Sequence, residues 1–226
     1  MINAETLSNN IATKVASELN LDNDKKEVIA YGTFAFIQTI FSILLIIIFG
    51  YLVNVQIEAL IISFVISILR KYSGGVHATS PNKCAAIGTF ICVGFATISV
   101  YLTNLLINLN MLIFLGIIIF SWSYYIIYKL APVDSPSKPI KKQKKIKKLK
   151  KRSIIILSIY LFIILINYIL YYKMGKGKFI IYSLCICSGV LWQTLTLTSL
   201  GYLIVTKLDN FLTYVMNIKK GDKKHE

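Results

Sequence analysis

The sequence predicts an all-α integral membrane protein of about six transmembrane helices, preceded by an amphipathic helix and with both termini in the cytoplasm. Three observations carry this expectation. First, 56% of the 226 residues are hydrophobic and the mean hydropathy is +0.66, whereas soluble domains are about 45–50% apolar. Second, the excess is gathered into charge-free runs at 31–53, 85–107, 111–128, 153–172 and 179–205. Each is long enough, at about 1.5 Å per residue, to cover a hydrocarbon core about 30 Å thick. Third, the 25 basic residues fall almost entirely on one side of such an arrangement.

Residues 1–30 form a cytoplasmic N-terminal segment. Leu7, Ile11, Val15 and Leu19 recur every four residues and lay one apolar stripe on a helix. Such a helix either packs on protein or lies at the membrane interface. Acidic residues and the lack of an apolar core or cleavage site argue against a cleavable signal. The run at 31–53 is the first crossing. Between 51 and 69 the chain carries Asn54, Gln56 and Glu58, which leaves a purely apolar run of only 59–69. It is counted as a crossing because a re-entrant segment would reverse every later loop. Glu58 then falls near the outer interface.

The runs at 85–107 and 111–128 enclose an uncharged connection at 108–110, expected outside. The loop at 129–152 holds eleven Lys and Arg residues and is expected inside. After 153–172 an outer connection carries only Lys173, Lys176 and Lys178. The last run, 179–205, contains Ser183, Ser188, Gln193, Thr194, Thr196, Thr198 and Ser199, which should face protein and not lipid. Residues 31–206 thus make a polytopic membrane domain, and 207–226 a basic cytoplasmic tail. This arrangement leaves three basic residues outside and the other 22 inside, as the positive-inside rule requires.

The densest charge, from Lys138 to Arg152, suits a topogenic signal that also attracts anionic lipid. No aromatic residues are interleaved with it, and it is tied to the membrane, which argues against a nucleic-acid partner. A third use is a docking strip for an acidic peptide, with Lys141, Lys142, Lys144 and Lys145 the candidate contacts.

Of four cysteines, Cys92, Cys185 and Cys187 lie in apolar runs, where Cys is usually a small buried hydrophobe. Cys84 lies in the polar segment Arg70-Lys71-Tyr72-Ser73-Gly74-Gly75-Val76-His77-Ala78-Thr79-Ser80-Pro81-Asn82-Lys83-Cys84. That segment also holds His77, the one histidine away from the C-terminus. A cysteine peptidase needs a thiolate and a nearby imidazole to take its proton and return it to the leaving amine. On a straight helix the two residues would be about 10 Å apart. Gly74-Gly75 allows a sharp bend, however, and Ser80-Pro81 reads as an N-cap followed by proline at the first helical position. Cys84 then sits in the first turn of the next helix, where the helix dipole favours a thiolate. The plain alternative is a loop histidine beside an incidental cysteine. A zinc site would have at most His77, Cys84 and Cys92 as ligands; no metal or cofactor is expected.

The 70–84 segment resembles the signature of the accessory gene regulator B family, membrane endopeptidases that process quorum-sensing propeptides. A second stretch, Ala131-Pro132-Val133-Asp134-Ser135-Pro136-Ser137-Lys138-Pro139, resembles the motif in that family's basic cytoplasmic loop. The resemblance extends along nearly the whole chain in length, helix pattern and motif order. It implies His77 and Cys84 as the catalytic pair, with the family's motif Arg and Gly at Arg70 and Gly75. It also implies a propeptide substrate of the AgrD type, with an amphipathic leader, a cysteine-containing signal segment and an acidic tail. The tail would be removed through a Cys84 thioester that the substrate's own cysteine resolves as a thiolactone. A homodimer in the bacterial cell membrane fits the same resemblance and the polar last run, and the charge count puts the site at the cytoplasmic face. The competing expectation is a non-enzymatic transporter or peptide exporter, which leaves the His77–Cys84 segment without a task.

Overall fold

The computed structural model describes residues 4–104, 108–134 and 142–221. Among them the chain is helical almost throughout: α1 (Ala4–Glu18), α2 (Asn23–Leu52), α3 (Gln56–Ser73), α4 (Pro81–Asn104), α5 (Leu109–Leu130), α6 (Gln143–Met174), α7 (Lys178–Leu195) and α8 (Ser199–Gly221). The chain divides into two compact units, Met1–Leu45 and Ile46–Glu226.

The first unit holds α1 and most of α2. Asp22 starts α2, its carboxylate accepting from the Lys25 N–H at 2.9 Å, a conventional N-cap. Of the expected stripe, Leu7 and Ile11 on α1 and Leu19 just beyond it are exposed and Val15 is half-buried, whereas the small residues Ser8, Ala12 and Ala16 are buried. An uncovered apolar face suits a helix lying at a membrane interface better than one packed on protein.

In the second unit α7 is the central helix. It packs against α3, α4, α5 and α6. Close approach to α3 depends on Gly189, where a Cβ would come within 2.8 Å of the Val65 side chain. Polar groups tie the helices together, as expected from their depth. The Thr194 hydroxyl donates to Ser123 of α5 at 3.2 Å, Tyr160 of α6 donates to the Val65 carbonyl of α3 at 3.2 Å, and Tyr124 and Ser158 join α5 to α6 at 2.7 Å. Large apolar side chains such as Phe90, Phe114, Ile118, Phe162 and Leu165 point outward and remain exposed. This inverts the arrangement of a soluble core and is what a bilayer requires.

By length and composition, five helices can cross a membrane: α2, α4, α5, α6 and α7. The 18-residue α3, bearing Glu58, Arg70 and Lys71, is not among them. The chain is therefore an all-α, multi-pass membrane protein.

Two sequence expectations differ from the structure in detail. The run at 179–205 is not one helix: α7 ends at Leu195 and α8 begins at Ser199. The Thr196 and Thr198 hydroxyls donate back to the Gln193 and Leu195 carbonyls at 2.7 and 2.8 Å, competing with the helical ladder. Part of the supposed basic loop is also helical. Residues 143–152 are the first turns of α6, which at 32 residues extends about 48 Å, well beyond a hydrocarbon core.

Candidate active site

The segment between α3 and α4 carries His77 and leads into Cys84. At its start, α3 ends on Gly74, whose N–H donates to the Arg70 carbonyl at 2.9 Å. Gly74 and Gly75 have φ values of +71° and +131°, a region that side-chain-bearing residues avoid. Space demands glycine as well. A Cβ on Gly74 would lie 2.0 Å from the Val133 carbonyl oxygen, and one on Gly75 would lie 2.7 Å from Thr196 Oγ1. The close approach at Gly74 arises because residues 74 and 133 form an isolated parallel bridge, with the Val133 N–H donating to the Ser73 carbonyl at 2.9 Å. The two stretches singled out in the sequence are thus physically joined. Positions 135–139 of the second stretch lie outside the described residues; Asp134 is exposed.

From the other side, α7 reaches in. Gln193 is fully buried, and its Nε2 donates to Ser73 Oγ at 3.0 Å and to the Gly74 carbonyl at 2.8 Å. The Val76 N–H donates to the Thr196 carbonyl at 3.2 Å. Arg70, near the end of α3, donates through Nη2 to the Val76 carbonyl. Residues 73–76 are therefore held on three sides, by α3, by the 131–134 stretch and by the end of α7.

The second half of the segment enters α4. The Lys83 N–H points at Ser80 Oγ at 3.4 Å, and the Cys84 N–H donates to the Ser80 carbonyl at 3.0 Å. Ser80 is the N-cap and Pro81 the first helical residue, which puts half-buried Cys84 in the first turn. The other three thiols are buried. Thr79 and Lys83 are gripped by Asp209 of α8, described below.

Arg70 interacts electrostatically with both His77 and Cys84. Desolvation and the Arg70 cation push His77 below its ordinary 6.5, to about 4. His77 is thus neutral at pH 7 and able to accept a proton.

Lys142, Lys144 and Lys145 lie exposed at the start of α6, whereas Lys141 is outside the described residues. The basic helix continues toward the site. Lys150 donates to the Tyr128 carbonyl at 2.8 Å, and the Arg152 guanidinium lies 5.6 Å from the ring centroid of Tyr72, two residues before Gly74. Sequence reasoning missed Gln193, Thr196 and Asp209 as parts of this region. The first two had a signal, being polar residues in an apolar run; Asp209 had only its charge.

The family model described as accessory gene regulator B matches residues 8–197, a stretch that contains all of the site except Asp209. An AgrB-like protein of Clostridium perfringens (strain SM101 / Type A) is 48% identical over 209 residues, covering 92% of this chain and 97% of that protein. AgrB-like protein 2 of Clostridium perfringens (strain 13 / Type A) is 47% identical with the same coverage. No solved structure matches the chain. A helical, multi-pass membrane chain that matches this family across most of its length belongs to the accessory gene regulator B family and to the quorum-sensing system that the family serves.

Proposed function

We propose that the chain is a membrane cysteine endopeptidase that removes the C-terminal tail of an AgrD-like propeptide and promotes its cyclisation. The observation that carries this reading is the placement of His77 just after a glycine bend fixed from three sides, with Cys84 in the first turn of the helix that follows. Neutral His77 takes the Cys84 proton as the sulfur attacks the carbonyl at the end of the signal segment. The C–N bond breaks, His77 returns the proton to the departing amine, and the signal segment remains as a Cys84 thioester. The substrate's cysteine then attacks that thioester, forming a thiolactone and regenerating the Cys84 thiol. Thioester exchange conserves the activation that water would destroy, so a site that limits water favours cyclisation.

In this reading α3 is counted with the five apolar helices. That gives six crossings, with both termini and the site at the cytoplasmic face of the bacterial cell membrane, as the charge distribution favours. The acidic tail docks on the basic start of α6 through Lys142, Lys144 and Lys145, together with Lys141. Two copies form the homodimer.

Co-expression with a propeptide, following the released tail by mass spectrometry, tests the proposal. Wild type should release tail, while Cys84→Ala and His77→Ala, inserted at equal levels, should release none. Replacing the four lysines by Gln should weaken release in a salt-dependent manner. Release that survives Cys84→Ala would sink the peptidase reading in favour of a transporter or exporter. A lysine variant as active as wild type at every salt concentration would remove the docking role alone.

A further inference from the structure

Thr79 lies two residues after His77, and Lys83 immediately before Cys84. Both are held by one carboxylate from the far end of the chain. Asp209 of α8, only 4% exposed, accepts from the Thr79 N–H at 3.1 Å and from Thr79 Oγ1 at 3.1 and 2.8 Å. Lys83 Nζ lies 3.4 Å from the same carboxylate and also donates to Thr79 Oγ1 at 2.9 Å and to Thr213 Oγ1 at 2.8 Å. Burial opposes the Asp209 charge, but the Thr79 donors and the Lys83 cation outweigh it and hold the carboxyl below its ordinary range. Alongside this cluster, an open apolar pocket of about 170 Å³ lies between α4 and α8, lined by Ala86, Ile87, Phe90, Leu208, Phe211 and Leu212.

The geometry points to Asp209 as a positioning residue that sets the spacing between His77 and Cys84 by clamping the residues between them. This rests on the peptidase reading of the pair. Because α8 follows the last residue of the family match, this chain supplies the clamp from outside the part it shares with the family model. Asp209 touches no reacting atom. It acts through Thr79 and Lys83, and its loss lets the bend and the helix start drift apart, which disables proton transfer over distances of about 1 Å.

The test is the rate at which iodoacetamide alkylates Cys84 in the full chain, purified in lipid nanodiscs and followed by peptide mass spectrometry from pH 5 to 9. Wild type should react in a His77-dependent way, slowed about tenfold by His77→Ala at pH 7. Asp209→Asn should slow it to a similar rate, Asp209→Glu should restore part of it, and adding Asp209→Asn to His77→Ala should change nothing further. Thr79→Val, which removes the hydroxyl donor without disturbing a helix, should slow alkylation in the same direction and decides the matter should Asp209→Asn fail to fold. A rate at or above wild type in folded Asp209→Asn and Thr79→Val overturns the inference; acceleration would mean that the freed Lys83 cation acts only through its charge. Sensitivity to His77→Ala without sensitivity to Asp209→Asn overturns the positioning role and leaves the pair standing. Insensitivity to His77→Ala overturns both.

Discussion

At its N-terminal end the segment bearing His77 and Cys84 is tied through backbone groups: Ser73, Gly74 and Val76 bond to Val133, Gln193, Thr196 and Arg70. At its C-terminal end it is tied mainly through side chains, with Asp209 accepting from the Thr79 hydroxyl and N–H and facing Lys83. Backbone ties fix shape, because they depend on φ and ψ and leave no room for a Cβ. Side-chain ties fix position but can be re-made by a residue of similar length and charge. The first end should therefore be intolerant of any substitution that adds volume, and the second should accept conservative changes.

The largest expected effect is at the rigid end. Gly74→Ala forces a positive φ on a residue whose Cβ would meet the Val133 carbonyl at 2.0 Å. It should cost about 3 kcal/mol or more and abolish tail release, checked by thermal unfolding in detergent beside the processing assay. Near-normal stability would break the comparison at its strongest point. Gln193→Leu should have an intermediate effect. It leaves Ser73 Oγ and the Gly74 carbonyl without the donors that now satisfy them and should destabilise by about 1–3 kcal/mol. Gln193→Glu, which keeps the shape but loses the donors, should be no better, and recovery in that variant would show that volume and not hydrogen bonding matters.

The smallest effect concerns His77, which stands between the two ends. The folded chain holds its proton less tightly than the unfolded chain, so this residue's contribution to stability is full above pH 6.5. It is lost as pH falls from 6.5 toward about 4. The acid limb of tail release, taken from a pH–rate profile, should accordingly have its midpoint below 6.5. A midpoint at or above that value would mean that neither burial nor Arg70 acts on the ring.

Much of the site was legible where it is local. Gly74-Gly75 and Ser80-Pro81 encode a bend and a helix start in adjacent letters, and the structure shows positive φ at both glycines and Ser80 at the N-cap of α4. The membrane-crossing helices were legible because apolar runs have no other explanation. The break between α7 and α8 was not, since Thr196 and Thr198 turn the chain by hydroxyl bonds that an apolar average conceals. Gln193 and Asp209 were missed for another reason. They reach Ser73 and Thr79 across 120 and 130 positions, and nothing in local spacing or periodicity reports such a pairing.

That separation has a consequence during synthesis. The stretch bearing His77 and Cys84 is made early, yet Gln193 and Thr196, which fix its bend, are made more than a hundred residues later. A nascent or truncated chain that stops before α7 therefore carries the His77–Cys84 segment without the groups that fix its bend. Because synthesis proceeds from the N-terminus, on the proposed peptidase reading Cys84 stays without its frame until the polypeptide is nearly finished.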